Sequence, residues 1–263
     1  MSNNRWTRDQ LKLAFYLYCQ LPFGKLHSRN PEIIALAQLI GRTPSAVAMK
    51  LVNFASIDPA ITLTGRVGLG NASSLDRETW SEFHADWEGL AVQCNRLMIA
   101  IEDEKGMRRS TDFDLDETID KEDFTGETRQ VITEQRIKQH FFRRAVLSSY
   151  RGRCCMSGLS EPSLLLASHI VPWSKDKANR LNPRNGLCLS ALHDRAFDRG
   201  LITLANDFTV IVSIQLLKSD NEFVRQTLVA LQGKPIECPE RFMPSTEFIV
   251  RHRAEIFKCT QSG

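Results

Sequence analysis

An acidic segment at residues 102–128 limits how this chain can fold. Between residues 102 and 127 there are eleven acidic and four basic residues, a net charge of −7, with few apolar side chains among them. Such a segment cannot bury enough apolar surface to pack by itself, so we expect a linker. The sequence therefore predicts two domains, a mainly helical one at residues 1–101 and a second one at residues 129–263.

The charge of the remaining residues favours a polyanionic partner. The whole chain has a formal charge of +3, so the residues outside the acidic segment carry +10. Basic surfaces on either side of an acidic linker suit a nucleic-acid-binding protein, although a solvated surface can have the same composition.

Composition excludes several other classes of protein. With 263 residues, of which 42% are hydrophobic, the chain can bury a sizeable core and is not disordered as a whole. No run approaches the roughly 18 apolar residues of a membrane helix, and the N-terminus lacks the apolar core of a signal peptide. We expect a cytoplasmic protein without a membrane partner. Its seven scattered cysteines include no CxxC pair, which favours reduced thiols that act as small buried apolar groups.

Apolar residues at helical spacing mark much of the N-terminal domain. The segment PEIIALAQLIGR begins with Pro31 at a favoured first-turn position and ends at Gly41, and Thr43 caps the next segment, TPSAVAMKLVNF. A helix, a short glycine turn and a second helix have the outline of a helix-turn-helix. The second helix would then present Ser45, Lys50 and Asn53 to the major groove of DNA. A plain helical hairpin that packs on the rest of the chain is the alternative.

The second domain begins with a predicted helix and continues with a ββα pattern. The first strand lies in LLLASHIVPW and contains His169. The second strand, GLCLS, follows Asn185, and the helix SALHDRAFD contains His193. Taken alone, a histidine at this place favours a structural role over a catalytic one. The alternating apolar residues of LITLANDFTVIVS then predict a hairpin.

Four short motifs in this domain occur in an order that is found in one nuclease family. They are CMSG at 155–158, ASHIVPW at 167–173, NGLCLS at 185–190 and LHDRAFD at 192–198. Residues 129–257, in which they occur, resemble the HNH endonucleases, also called His-Me finger nucleases, and in particular a subgroup that resembles restriction enzymes. The resemblance implies an α+β chain whose C-terminal domain is a ββα-metal nuclease.

The resemblance also implies a role for each polar residue of the pattern. His169 would be the general base that takes a proton from water, because the pKa of imidazole lies near neutral pH. Asn185 would hold the two strands and align His169. His193 and Asp198 would bind a divalent metal ion, for which Mg²⁺ is the first candidate and Mn²⁺, Ni²⁺ and Zn²⁺ are alternatives.

Structural roles for the same residues stay open. His193 could cap or pack its helix, Asp198 could neutralise a neighbouring arginine, and Asn185 could be a simple turn residue. The chain also departs from the family, since many members have an Asp or His ligand just before the base, where Ser168 stands here. The metal ion would then be bound by His193 and Asp198 alone, or by these two and a further carboxylate, for which Asp194 and Asp176 are the candidates.

A basic loop lies between the two strands of the pattern. Its cations are Lys175, Lys177, Arg180 and Arg184. These side chains would contact DNA phosphates, or the loop could simply be solvated. The expected function is cleavage of DNA, of the restriction type and by a homodimer, because two nuclease domains are needed to cut both strands. A nicking or mobile-element nuclease and a DNA-binding regulator with a non-catalytic finger are the alternatives.

Overall fold

The computed structural model describes residues 5–62, 70–106 and 126–258. The chain divides into two compact units, Met1–Arg144 and Ala145–Gly263. Most of the predicted linker, residues 107–125, lies outside the described residues, as does Cys259, so the domain limits inferred above stay a prediction. None of the described helices is long and apolar enough to cross a bilayer.

The described part of the first unit is helical. Its helices are α1 (Arg8–Gln20), α2 (Pro31–Ile40), α3 (Pro44–Ile57), α4 (Pro59–Thr62), α5 (Ser74–Ala85), α6 (Trp87–Glu104) and α7 (Gly126–Ser149), which continues into the second unit. An aromatic cluster around Phe15 of α1 forms the core. The Phe15 ring lies 5.0 Å from that of Phe54 on α3 and 4.7 Å from that of Phe83 on α5, measured between centroids.

The helix–turn–helix outline of α2 and α3 is present, but two of its three predicted DNA contacts are corrected by the structure. Gly41 has a φ of +67°, a conformation that ends α2, and Thr43 caps α3. Lys50 is only 9% exposed, and its Nζ lies 3.0 Å from both carboxylate oxygens of the fully buried Asp76. Asn53 is buried as well. Both side chains point into the unit because α5 packs on this face of α3, and they are not available to DNA.

The second unit contains the predicted ββα arrangement. Strand β1 (Leu165–His169) pairs antiparallel with β2 (Gly186–Ser190), so that His169 lies opposite Gly186, and helix α8 (Ala191–Asp198) follows directly. The predicted hairpin is formed by β3 (Ile202–Leu204) and β4 (Val210–Val212). Three further α-helices follow in the described part of this unit: α9 (Ile214–Leu217), α10 (Glu222–Thr227) and α11 (Thr246–Glu255). The α+β class predicted from the sequence is confirmed.

The C-terminal helix supports the end of α8. The imidazole of His252 on α11 stacks on Phe197 at 3.7 Å between centroids, and its ring nitrogens bond Thr203 Oγ1 at 2.8 Å and the Phe197 carbonyl at 3.2 Å. Gly200, with a φ of +68°, ends α8 so close to the chain after α11 that a Cβ here would lie 2.0 Å from the Ile256 carbonyl oxygen. Any side chain at position 200 would therefore displace this support.

Candidate active site

His169 lies at the end of β1 and is half-buried. Its Nε2 is 2.9 Å from the carbonyl oxygen of Arg180. A carbonyl only accepts, so this contact places the proton of the neutral ring on Nε2 and the lone pair on Nδ1. Burial lowers the pKa of His169, and the bond to the Arg180 carbonyl partly opposes this shift. The imidazole is thus held neutral at neutral pH, which is the form that a general base requires.

Asn185 fixes the chain just beyond His169. This residue is completely buried, and its Oδ1 accepts a hydrogen bond of 2.8 Å from the Val171 N–H. Its Nδ2 donates to the carbonyls of Val171 at 3.1 Å and Asn179 at 3.2 Å. One amide side chain therefore joins the start of β2 to the segment after β1 and to the basic loop. Because the loop also contains the carbonyl that bonds His169, Asn185 supports both sides of that imidazole.

His193 is buried, and both of its ring nitrogens lie against other residues of the unit. Nε2 is 3.3 Å from the carbonyl oxygen of Thr227 and therefore donates to it. Nδ1 lies 3.0 Å from Ser190 Oγ and 3.3 Å from Cys154 Sγ. Burial lowers the pKa of His193, but the contacts with Cys154 and with the Thr227 carbonyl outweigh it and raise the pKa. In this arrangement Nε2 has no lone pair available for a metal ion, and Nδ1 is already engaged by Ser190 and Cys154.

Two carboxylates lie one helical turn apart on α8, next to β1. Asp194 is half-buried and Asp198 is exposed. Partial burial raises the pKa of Asp198, and the nearby charge of Asp194 raises it further. Burial also raises the pKa of Asp194, whereas the adjacent Ser168 hydroxyl lowers it. The two carboxylates therefore interact with each other and with the residue that precedes His169.

Comparison with known proteins agrees with this geometry. Residues 154–205 match the family model of the HNH endonucleases. The second unit contains an HNH endonuclease domain. The match begins at Cys154, includes β1, β2 and α8, and ends after β3. No curated protein matches the chain.

The HNH domain brings some of the predicted site residues together and separates others. His169 and Asn185 are joined through the Val171 segment and the Arg180 carbonyl. His193 and Asp198 are five residues apart on α8, so they project in different directions, one into the unit and one to solvent. Among the described residues there is no group of three or more His, Cys, Asp or Glu side chains arranged to hold a metal ion.

Several side chains of the basic loop bond to one another, to the loop backbone or to α11. Asp176 receives hydrogen bonds from the backbone and side chain of Asn179, at 3.2 and 3.0 Å, and an ion pair from Arg251. The Arg180 guanidinium donates to the Trp173 carbonyl at 2.8 Å and lies 5.2 Å from the centroid of the same residue's ring. Asp176 is thus committed to loop structure, and Arg180 shapes the loop that positions His169.

The other cations of the loop differ in whether they already pair with another residue of the chain. Lys175 pairs with Glu255 at 2.9 Å, and Arg184 donates to the Met243 carbonyl at 3.2 Å. Lys177 is exposed and makes no hydrogen bond or ion pair with the part of the chain that the structure describes. Of the four predicted phosphate contacts, Lys177 has the most freedom to reach a ligand.

Cys154 is the residue at this site that sequence reasoning missed. Burial raises the pKa of its thiol, but hydrogen bonds from His193, Ser157 and the backbone of the following turn outweigh it and lower the pKa to about 6. The cysteines were interpreted above as small apolar groups, which describes the buried Cys19, Cys94 and Cys188. The signal for Cys154 was its place next to the CMSG turn, directly before the ββα pattern.

Proposed function

We propose that the chain is a divalent-cation-dependent DNA endonuclease of the restriction type, with His169 as the general base. The observation that carries this proposal is the neutral, oriented imidazole of His169 inside an HNH domain. Water attacks the phosphorus of the scissile phosphodiester, its proton passes to Nδ1 of His169, and the 3′-oxygen leaves.

Each residue around His169 has a definite part in this reaction. The Arg180 carbonyl holds the Nε2–H, so that Nδ1 is the nitrogen that accepts the proton. Asn185 holds the Val171 segment and the loop, so the ring does not have to reorganise during the reaction. The exposed Lys177 and the partly occupied Lys175 supply positive charge for the DNA backbone next to the site.

The donor groups of the domain fit a divalent cation in part. Asp198 offers an exposed carboxylate, whereas the buried Ser168 hydroxyl hydrogen-bonds to the Asp194 carboxylate. His193, the other predicted ligand, has both nitrogens engaged. A cation such as Mg²⁺, when bound at Asp198, would supply positive charge to the scissile phosphate and to the leaving oxygen.

The test is cleavage of supercoiled plasmid by the wild type and by His169→Ala, in the presence of Mg²⁺, Mn²⁺ or EDTA. We expect cation-dependent cleavage that falls by at least about 100-fold in the variant, while DNA binding persists. His27→Ala, at an exposed histidine of the first unit, is the matched control and should cut like the wild type. Intact plasmids of modified and unmodified DNA, with binding retained, would instead favour a DNA-binding regulator.

We also propose that the active form on DNA is a homodimer, because one such domain cuts one strand. Light scattering of the protein on its cognate DNA measures the stoichiometry. A monomer together with single-strand nicks would favour a nicking nuclease, and a dimer together with double-strand breaks would support the restriction type.

A further inference from the structure

Trp173, the last residue of the motif ASHIVPW, lies beside the imidazole of His169. The two rings meet at 90°, with 5.5 Å between their centroids. Edge-to-face contact of this kind is a preferred arrangement of two aromatic rings. The hydrogen bond to the Arg180 carbonyl fixes only the Nε2 atom of the imidazole, whereas the indole restricts the plane of the ring. The two contacts together define how His169 is oriented.

The same tryptophan holds the residue whose carbonyl bonds His169. The Arg180 guanidinium lies 5.2 Å from the centroid of the Trp173 ring, where a cation and the face of an indole attract each other. Its Nε also donates to the Trp173 carbonyl at 2.8 Å. These two contacts hold the side chain of Arg180 and thereby restrain the backbone of the same residue. Trp173 thus contacts both residues that form the bond at Nε2.

The amide of Asn185 does not replace this support. Asn185 bonds Val171 and the carbonyl of Asn179, the residue just before Arg180. The next carbonyl along the chain is the one that meets Nε2. Successive peptide groups turn about the two soft bonds between them, so a fixed carbonyl at residue 179 does not set the direction of the carbonyl at residue 180. The contacts between the Arg180 side chain and Trp173 supply that restraint.

Core packing alone does not account for Trp173. Trp87 of the first unit is 2% exposed and belongs to the aromatic core, whereas Trp173, His169 and Arg180 are all half-buried. The three side chains form a group at the surface of the domain, where the imidazole stays accessible to water.

We propose that Trp173 is a positioning residue of this site, which sets the plane of His169 and, through Arg180, keeps the proton of the neutral ring on Nε2. The inference rests on the proposed function for the role of His169 as the base. With the proton on Nε2, Nδ1 is the nitrogen that takes the proton of the attacking water. Without the indole, the Arg180 carbonyl would be free to turn away, and the imidazole would divide between its two tautomers. Only part of the molecules would then be ready to react.

Nuclear magnetic resonance of the full chain, labelled with ¹⁵N-histidine and without DNA, tests this assignment. Above about pH 8, long-range correlation spectra distinguish neutral rings protonated on Nε2 from those protonated on Nδ1, and comparison with His169→Ala identifies the signals of His169. The wild type should show the Nε2–H form. Trp173→Ala should show a mixture of both forms, and Trp173→Phe, which keeps an aromatic face against both neighbours, should restore the wild-type form.

Two further variants make the result specific. Arg180→Ala keeps the backbone carbonyl and removes the side-chain contacts, so it should give the same mixture of tautomers, and it carries the test if Trp173→Ala does not fold. Trp6→Ala is the matched control, because Trp6 of the first unit also lies against an arginine, with the Arg42 guanidinium 5.0 Å from the centroid of its ring. This variant should leave the tautomer of His169 and the cleavage of plasmid unchanged.

Cleavage of plasmid measures the consequence for the reaction. The single-turnover rate should fall by about 10-fold or more in Trp173→Ala and by less than about threefold in Trp173→Phe, with DNA affinity unchanged. An Nε2–H form that persists in Trp173→Ala and Arg180→Ala would overturn the proposal. A loss of DNA affinity with that form intact would also overturn it, because Trp173 would then be a contact for DNA. A wild type that cuts no plasmid refutes the enzyme, while the spectra still decide the role of Trp173.

Discussion

Replacing Asn185 by alanine should destabilise the second unit by about 3 kcal/mol. The substitution removes three hydrogen bonds, of 2.8, 3.1 and 3.2 Å, and leaves the Val171 N–H and two carbonyls without a partner in a fully buried place. Each net hydrogen bond is worth about 1 kcal/mol, and orphaned buried groups add to the loss. Asn185→Asp retains the acceptor and loses the donor, so a buried charge replaces two of the bonds, and we expect a loss at least as large.

Urea unfolding of the second unit, followed by circular dichroism, measures this difference. Asn206→Ala is the control, because the exposed Asn206 side chain accepts one hydrogen bond from Arg253 and should cost below about 0.5 kcal/mol. Cleavage by folded Asn185→Ala should also fall by about 10-fold or more, because the chain on both sides of His169 loses its support. A loss of stability below about 1 kcal/mol would refute the conclusion that this amide holds the site together.

Three further predictions concern other residues of the chain. Burial lowers the pKa of His252 from 6.5 to about 4, so the free energy of unfolding should fall by about 3 kcal/mol as the pH is lowered from 6.5 toward 4. Urea titrations at several pH values measure this loss, and His252→Gln should flatten the pH dependence. Lys50→Met leaves the buried Asp76 charge unpaired and should cost about 3–5 kcal/mol in thermal unfolding, much of which Asp76→Leu should restore. Lys177→Gln should lower the slope of log affinity for DNA against log salt by about 1, measured by fluorescence anisotropy; an unchanged slope would place Lys177 away from the phosphates.

The ββα segment could be predicted from the sequence because its determinants are local. Short apolar runs mark β1 and β2, Ser190 caps α8, and Gly200 ends it. The place of His169 at a strand end and of Asn185 before the next strand follows from the same pattern. The helices α2 and α3 were equally predictable, since Pro31, Gly41 and Thr43 each act on the adjacent backbone.

The partners of individual side chains could not be predicted, because they come from distant parts of the chain. Lys50 is a cation on a plausible recognition helix until Asp76, on α5, is brought against it. The family resemblance implies that His193 is a metal ligand, but its ring contacts Cys154, which precedes it by 39 residues, and Thr227, which follows it by 34 residues. A helix pattern indicates which face is buried, but it does not show what that face meets.

The support of α8 by α11 sets the smallest piece of this chain that can fold as an HNH domain. The matched HNH segment ends at residue 205, whereas His252 and the backbone at Ile256 lie against Phe197, Thr203 and Gly200 from outside it. A fragment limited to residues 154–205 would expose the apolar side of α8 and lose the stacked imidazole. Transfer of this domain to another protein must therefore carry the chain through residue 258, and a fusion that stops earlier would be expected to aggregate.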